Sequence, residues 1–384
     1  MKVVLVTEYQ GSKPFSDELA YNLLKKGIDV ELFDMFEMFT LKFANSNVIH
    51  YHITNSFIRK ICKIRLLGAV IRFIFYKWYF IVKPFKYDHV SIHYALPLYR
   101  FFICTFKRHV RSVSICIWGS DFYRASDKKR DTMNSLFDHC DSIIIGNITM
   151  AEEFSNYYDK KYKDKILPVG FGIGKLDIIK DYKAVLLKDH IRCELEIPKD
   201  KLIITIGYNG IRQQQHLLVL EHFEKIRSAL KDNLFILIPF GYGGDVEYRQ
   251  AIENKLKKLK IGFIIFDSFI SDQDIAKLRL ATDIVINAQI SDASSASIQE
   301  HLYAENVLLT GEWLPYTYFT HKGVRLWSFG YDNFFEKLVH VLENFESFQK
   351  EVQINSEIIY NLSSWGARID QWIDAFEFNC IDEF

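Results

Sequence analysis

The stretch from Asn287 to Glu300, NAQISDASSASIQE, gathers side chains suited to binding a phosphorylated polyol. It follows the apolar run 283–287 (DIVIN), so it reads as the turn from a strand into a helix. A helix starting near Ser294–Ser297 leaves backbone N–H groups free and presents its positive end, which together bind phosphate. The small residues Ser294, Ser295 and Ser297 let a diphosphate come close. Glu300 lies about one turn into that helix. A carboxylate there can accept hydrogen bonds from the hydroxyls of a ribose. Asp292 precedes Glu300 by eight positions and sits in the loop, where a sugar ring would lie. The same residues also make an ordinary capped helix, with Asp292 and the serines at the N-cap and Glu300 on the surface.

Other loops offer matching chemistry. Gly207-Tyr208-Asn209-Gly210 follows the apolar run 201–206 (KLIITI). Gly207 marks the turn, and Asn209, Arg212 and His216 can reach a ligand from it. Arg212 supplies a fixed positive charge for a diphosphate. Read blandly, this is a strand-to-helix turn in which His216 caps the helix. Gly241-Tyr242-Gly243-Gly244 lets backbone approach closely, and Tyr242 could stack on a base. In the first half, His93 and Asp121 follow short apolar runs, where either could serve as a general base for an acceptor hydroxyl. Their structural alternatives are a buried, hydrogen-bonded histidine and a helix N-cap.

These residues need a scaffold that brings strand ends together. Residues 2–7 (KVVLVT) read as a strand, Asp17 to Lys26 as a helix stopped by Gly27, and 28–33 as a strand. That is a βαβ unit and implies a parallel sheet. Strands resume at 89–93, 112–118 and 142–145. A second series is expected at 201–206, 234–238, 263–266, 283–287 and 306–310, with helices at 215–230, 245–260, 272–281 and 295–305. The fold class is α/β, with two Rossmann-like, doubly wound domains facing a central cleft. An N-terminal acceptor domain over 1–168 is expected, then a nucleotide-sugar domain over 169–359. A C-terminal helix over 360–384 is expected to pack back on the first domain. Gly170-Phe171-Gly172-Ile173-Gly174 reads as a hinge, because its glycines do not fit the spacing of a dinucleotide-binding turn. No P-loop sequence is present.

The pair Asp292-x7-Glu300 resembles the two-carboxylate hallmark of GT-B glycosyltransferases of family 4, with Asp where Glu is usual. That resemblance implies that Glu300 holds the nucleotide ribose, that Asp292 contacts the donor sugar, and that the anomeric carbon retains its configuration. A second set of segments is similar to bacterial transferases of 4-acetamido-4,6-dideoxygalactose onto the lipid-linked enterobacterial common antigen. It comprises 204–216 (ITIGYNGIRQQQH), 236–243 (ILIPFGYG), Trp118-Gly119-Ser120-Asp121-Phe122-Tyr123 and His93. This likeness spans about 90–315 and implies inversion, with Asp121 as candidate base. Together they imply transfer of a hexose-type sugar from a nucleotide diphosphate sugar to a polyprenyl-linked or oligosaccharide acceptor, in bacterial surface polysaccharide synthesis. A sugar-nucleotide epimerase of the same fold class is the rival. No cofactor and no metal are expected, because the resemblance implies a GT-B enzyme that neutralises phosphate with protein groups.

The chain has 384 residues, and its 48 basic and 48 acidic side chains cancel. Net charge therefore points to no partner, but its distribution does. Residues 38–87 hold nine Lys or Arg and no Asp or Glu. Within them 57–86 interleaves bases with Phe, Trp, Tyr and Ile. No uncharged run there nears the ~20 residues of a membrane span. The reading is a helix lying on an anionic membrane surface, with nucleic acid the weaker alternative. The six cysteines form no C-x-x-C pair, which suits reduced thiols. A cytoplasmic protein attached peripherally to the inner face of the plasma membrane is expected.

Overall fold

The structure, a computed structural model, describes residues 1–7, 13–34, 49–51, 87–268, 271–292 and 294–377, with scattered positions between 57 and 77. Most of the expected membrane helix over 57–86, part of the loop after the first strand and the last seven residues lie outside the described residues.

The chain forms two compact units, Met1–Gly172 with Trp365–Phe384, and Ile173–Ser364. In the first, seven parallel strands are ordered β3-β2-β1-β4-β5-β6-β7. They are β1 (Lys2–Thr7), β2 (Asp29–Asp34), β3 (Ile49–Tyr51), β4 (Tyr87–His93), β5 (Val110–Ile117), β6 (Ser142–Ile145) and β7 (Ile166–Leu167). In the second, six parallel strands are ordered β10-β9-β8-β11-β12-β13. They are β8 (Leu202–Ile206), β9 (Leu234–Pro239), β10 (Gly262–Phe266), β11 (Ile284–Asn287), β12 (Val307–Gly311) and β13 (Trp327–Phe329). Each order reverses beside its first strand, between β1 and β4 and between β8 and β11. At such a point adjacent loops leave in opposite directions and open a crevice beyond the strand ends.

The central strands are continuous apolar runs because helices cover both faces of each sheet. Val3, Leu5 and Val6 of β1 and Ile284, Val285 and Ile286 of β11 are fully buried. The strand β4 departs from this rule. His89 is buried and its ring bonds Ser112 Oγ at 2.7 Å and Ser114 Oγ at 2.8 Å, while Ser114 donates to Ser91 at 3.0 Å. Polar groups in a sheet interior are tolerated when they satisfy one another in this way.

The expected helix over 215–230 is two helices, His216–Glu224 and Ser228–Lys231. The expected helix from 360 onward is also interrupted. Ser364 is extended (φ −71°, ψ 154°) and separates Asn355–Ser363, in the second unit, from Trp365–Glu377, in the first. Burial explains the attachment of the latter. Trp365, Ile369, Trp372, Ala375 and Phe376 pack with Val3 and Leu5, and Trp372 Nε1 donates to the Gly170 carbonyl at 3.0 Å.

Candidate functional site

The loops after β8 and β11 flank the reversal of the second sheet and are laced together. Gly207 N donates to the Ile286 carbonyl at 3.0 Å, and Ile290 N to the Gln213 carbonyl at 3.0 Å. Gln214 Nε2 donates to Gln289 Oε1 at 2.5 Å, and Gln215 Nε2 to the Ala288 carbonyl at 2.6 Å. Gly207 has φ +66°, and a Cβ there would lie 2.8 Å from Gln214 Oε1 and 2.9 Å from His216 Nε2. Both the backbone angle and the lack of space require glycine. Those two atoms, and Asn287 Oδ1 at the end of β11, are buried without a hydrogen-bond partner among the described residues. Burial lowers the His216 pKa to about 4, so the ring is neutral. A neutral imidazole and an amide oxygen thus flank the same glycine.

The loop after β9 joins the same rim. Gly210 N donates to the Tyr242 carbonyl at 2.9 Å, and a Cβ on Gly210 would meet Gly244 backbone at 2.9 Å. Asn209 is buried, accepts from Ile211 N at 3.1 Å and donates to Tyr242 Oη at 3.3 Å. Tyr242 itself is 57% exposed. Arg212 is also exposed and forks onto Asp245 through two 3.1 Å bonds, so its charge is already partnered.

Asp292 accepts from Tyr316 Oη at 2.6 Å. Tyr316 is fully buried, and burial beside the Asp292 carboxylate holds its hydroxyl protonated as a donor. Tyr208 is mostly buried too, with Asp292, Ser295 and Gln289 beside it. Ser294 takes φ +69°, and Ser295 caps the helix Ala296–Tyr303 by accepting from Ser297 N at 3.2 Å. Glu300 is not on the surface. It is 2% exposed and held by Arg279, whose Nε and Nη2 both lie 3.1 Å from Oε2. The sequence reading missed Tyr208, Gln214, Gln289, Tyr316 and Arg279. Gln214 and Tyr208 lie within the loop it singled out, whereas Arg279 lies on the preceding helix, Asp272–Ala281, where no spacing rule ties it to Glu300.

In the first unit, Asp121 lies on the short helix Ser120–Tyr123 with no exposure. Its Oδ1 accepts from Trp118 N at 2.9 Å and its Oδ2 from Ala95 N at 2.8 Å. The carboxylate thereby ties the loop after β4 to the loop after β5. Burial raises its pKa to about 6, against the opposing pull of these backbone bonds. His93 is buried, but neither ring nitrogen has a hydrogen-bond partner among the described residues. Its neighbours are Trp118, Phe171 and Trp372, with ring centroids 6.1, 5.8 and 5.8 Å away. Burial pushes its pKa to about 3. Among the described residues no group of His, Cys, Asp and Glu is arranged to hold a metal ion.

No protein-family model and no curated protein matches the sequence. Solved structures do match in fold. A glycosyltransferase from Rickettsia africae superposes with a TM-score of 0.71 at 14% identity, over 100% of this chain and 99% of that one. The fold is GT-B. Anabaena HepE in complex with UDP and glucose shares this GT-B architecture at TM-score 0.71 and 10% identity, over 98% of this chain and 100% of its own. So does the UDP-GlcNAc 2-epimerase of Neisseria meningitidis bound to UDP-GlcNAc, at TM-score 0.61 and 13% identity, over 99% and 100%.

Proposed function

We propose that the chain is a glycosyltransferase that draws a hexose-type sugar from a nucleotide diphosphate sugar seated on the second unit. The observation that carries this reading is at the β8/β11 reversal. There Gln214 Oε1 and His216 Nε2 flank Gly207, and they and Asn287 Oδ1 at the end of β11 have no hydrogen-bond partner among the described residues. Backbone N–H groups at the start of the helix Ala296–Tyr303 receive the diphosphate, joined by Asn209 and by Arg212 once it releases Asp245. Asp292, fixed by Tyr316, orients the donor sugar, and Tyr242 covers the base. Protein groups alone neutralise the diphosphate, so the reaction uses neither metal nor cofactor. Retention fits this donor arrangement, because Asp121 has both carboxylate oxygens engaged by backbone and is a poor general base.

The acceptor reading rests on the loop sequences of 204–216, 236–243 and 118–123 and on the basic, aromatic segment 57–86. We assign a polyprenyl-linked or oligosaccharide acceptor of a bacterial surface polysaccharide, met at the inner face of the plasma membrane. Within that segment Phe57, Ile64, Val70 and Ile74 are all more than half exposed. Phe101, beside Phe73 and under the Arg100 guanidinium, extends the same character. Apolar side chains standing among bases suit an anionic lipid surface. Among the described residues no helix is long and apolar enough to cross a membrane.

The test is release of nucleoside diphosphate from a panel of UDP-, GDP-, dTDP- and CDP-sugars, with and without lipid-linked acceptor. Acceptor-dependent release from one donor is expected, and no release from any would overturn the reading. The second reading is epimerisation, favoured by the likeness to the Neisseria enzyme. It predicts interconversion of the donor sugar with no acceptor present.

A further inference from the structure

We infer that Arg279 is a positioning residue that sets the orientation of Glu300 and so controls how the chain reads the nucleotide ribose. The inference rests on the nucleotide-sugar reading above. Arg279 and Glu300 are 3% and 2% exposed, so each would be costly to bury alone. Both arginine contacts fall on one oxygen, Oε2, at 3.1 Å. Oε1 takes no hydrogen bond among the described residues. The guanidinium is itself held. Its Nη1 lies 3.0 Å from His301 Nε2. Asn306 Nδ2 donates to the Arg279 carbonyl at 2.9 Å, closing the network behind the pair.

An oxygen held by two nitrogens of one rigid guanidinium restricts the carboxylate's rotation about its terminal bond. The second oxygen is then presented in one direction, as an acceptor with negative charge. Two vicinal hydroxyls are the ligand group that such an oxygen recognises, by two O–H donations to one charged acceptor. Lysine would supply the charge without the fork, so it would hold Glu300 without fixing it.

The experiment compares a ribonucleoside diphosphate with its 2′,3′-dideoxy analogue. UDP, GDP and CDP are first ranked by thermal shift on the full chain. The tightest and its dideoxy form are then titrated calorimetrically into the wild type, Arg279→Lys, Arg279→Met and Glu300→Gln. The wild type is expected to prefer the ribonucleotide by about tenfold, the scale of one charge-assisted hydrogen bond. Glu300→Gln and Arg279→Met should reduce that preference to within twofold while leaving dideoxy affinity unchanged, and Arg279→Lys should fall between. A purely structural Arg279 would weaken both ligands alike, which overturns the inference. So would a wild-type preference retained in Arg279→Lys and Arg279→Met. A wild type that binds diphosphates without preferring ribose overturns the inference and leaves the nucleotide reading standing. A wild type that binds none of the three overturns both.

Discussion

The two parallel sheets reverse their strand order in the same way, yet the side chains at the two reversals differ in kind. Beyond β4, His93 is walled by Trp118, Phe171 and Trp372, and Asp121 spends both carboxylate oxygens on backbone N–H groups. Beyond β8 and β11, the loops are joined through glutamines, and polar atoms of Gln214, His216 and Asn287 have no partner among the described residues. Topology places a crevice at both positions, and the residues decide what each crevice holds. At the first, the unsatisfied nitrogens of His93 stand among aromatic rings and backbone ties; at the second, the unsatisfied atoms belong to two amides and an imidazole on loops bonded to one another.

The sharpest way to break this contrast is at Gly207. Gly207→Ala places a Cβ between Gln214 Oε1 and His216 Nε2 at a φ of +66°. Transfer is expected to fall about a hundredfold, the scale of a misplacement of one ångström. The left-handed angle costs the fold about 1–2 kcal/mol, and displacement of the Gln214 and His216 side chains by the Cβ adds to it. Steady-state rates beside a melting curve check both numbers.

At the other rim, Asp121→Asn should cost about 1–3 kcal/mol of stability, because one of the two backbone donors loses its acceptor. If Asp121 is a loop tie, kcat measured below the melting transition stays within a few-fold of wild type. A collapse of kcat with the fold intact would restore its reading as the base.

The pH dependence of stability carries a sign that follows from burial. His89, His93 and His216 have pKa values lowered to about 3, 3 and 4 from 6.5. A group whose folded pKa is depressed contributes stability present above its unfolded pKa and lost as pH falls toward the folded one. Stability should therefore decline from about pH 6.5 downward, steepening to about pH 4. Asp121, raised to about 6, acts oppositely and contributes stability that fades as pH rises from 3.8 to 6. Urea unfolding at half-unit pH steps measures the net curve, and a flat profile below pH 6 would contradict the burial of these rings.

The smallest effect belongs to His93→Phe. Replacing two unsatisfied nitrogens by ring carbons among aromatic neighbours should stabilise the first unit by about 1–2 kcal/mol. A gain in melting temperature with transfer retained marks a sealed box, and loss of transfer marks a working imidazole.

Much of this was legible in the sequence because βαβ grammar and loop chemistry are local. The helix expected over 272–281 is Asp272–Ala281, and the strand expected over 142–145 is Ser142–Ile145. The turn at Gly207 and the cap at Ser295 follow from glycine and serine chemistry. Pairings across the chain were not legible. Glu300 read as a surface or ribose-facing acid because its partner Arg279 lies on another helix, and nothing in the spacing announces their burial together. His93 read as either a hydrogen-bonded core histidine or a base, and its enclosure depends on Trp372, far away in the chain. The break at Ser364 was hidden for a similar reason. Apolar periodicity continues across it, and only the division of the burying surfaces between two units separates the helices.

The central claim, that the second rim takes the nucleotide and the first does not, is tested most directly by amide hydrogen exchange with a saturating nucleoside diphosphate. Slowed exchange confined to 207–216 and 288–300, with 93–95 and 118–123 unchanged, is the predicted result. Protection centred on 93–123, or none at either rim, would contradict it.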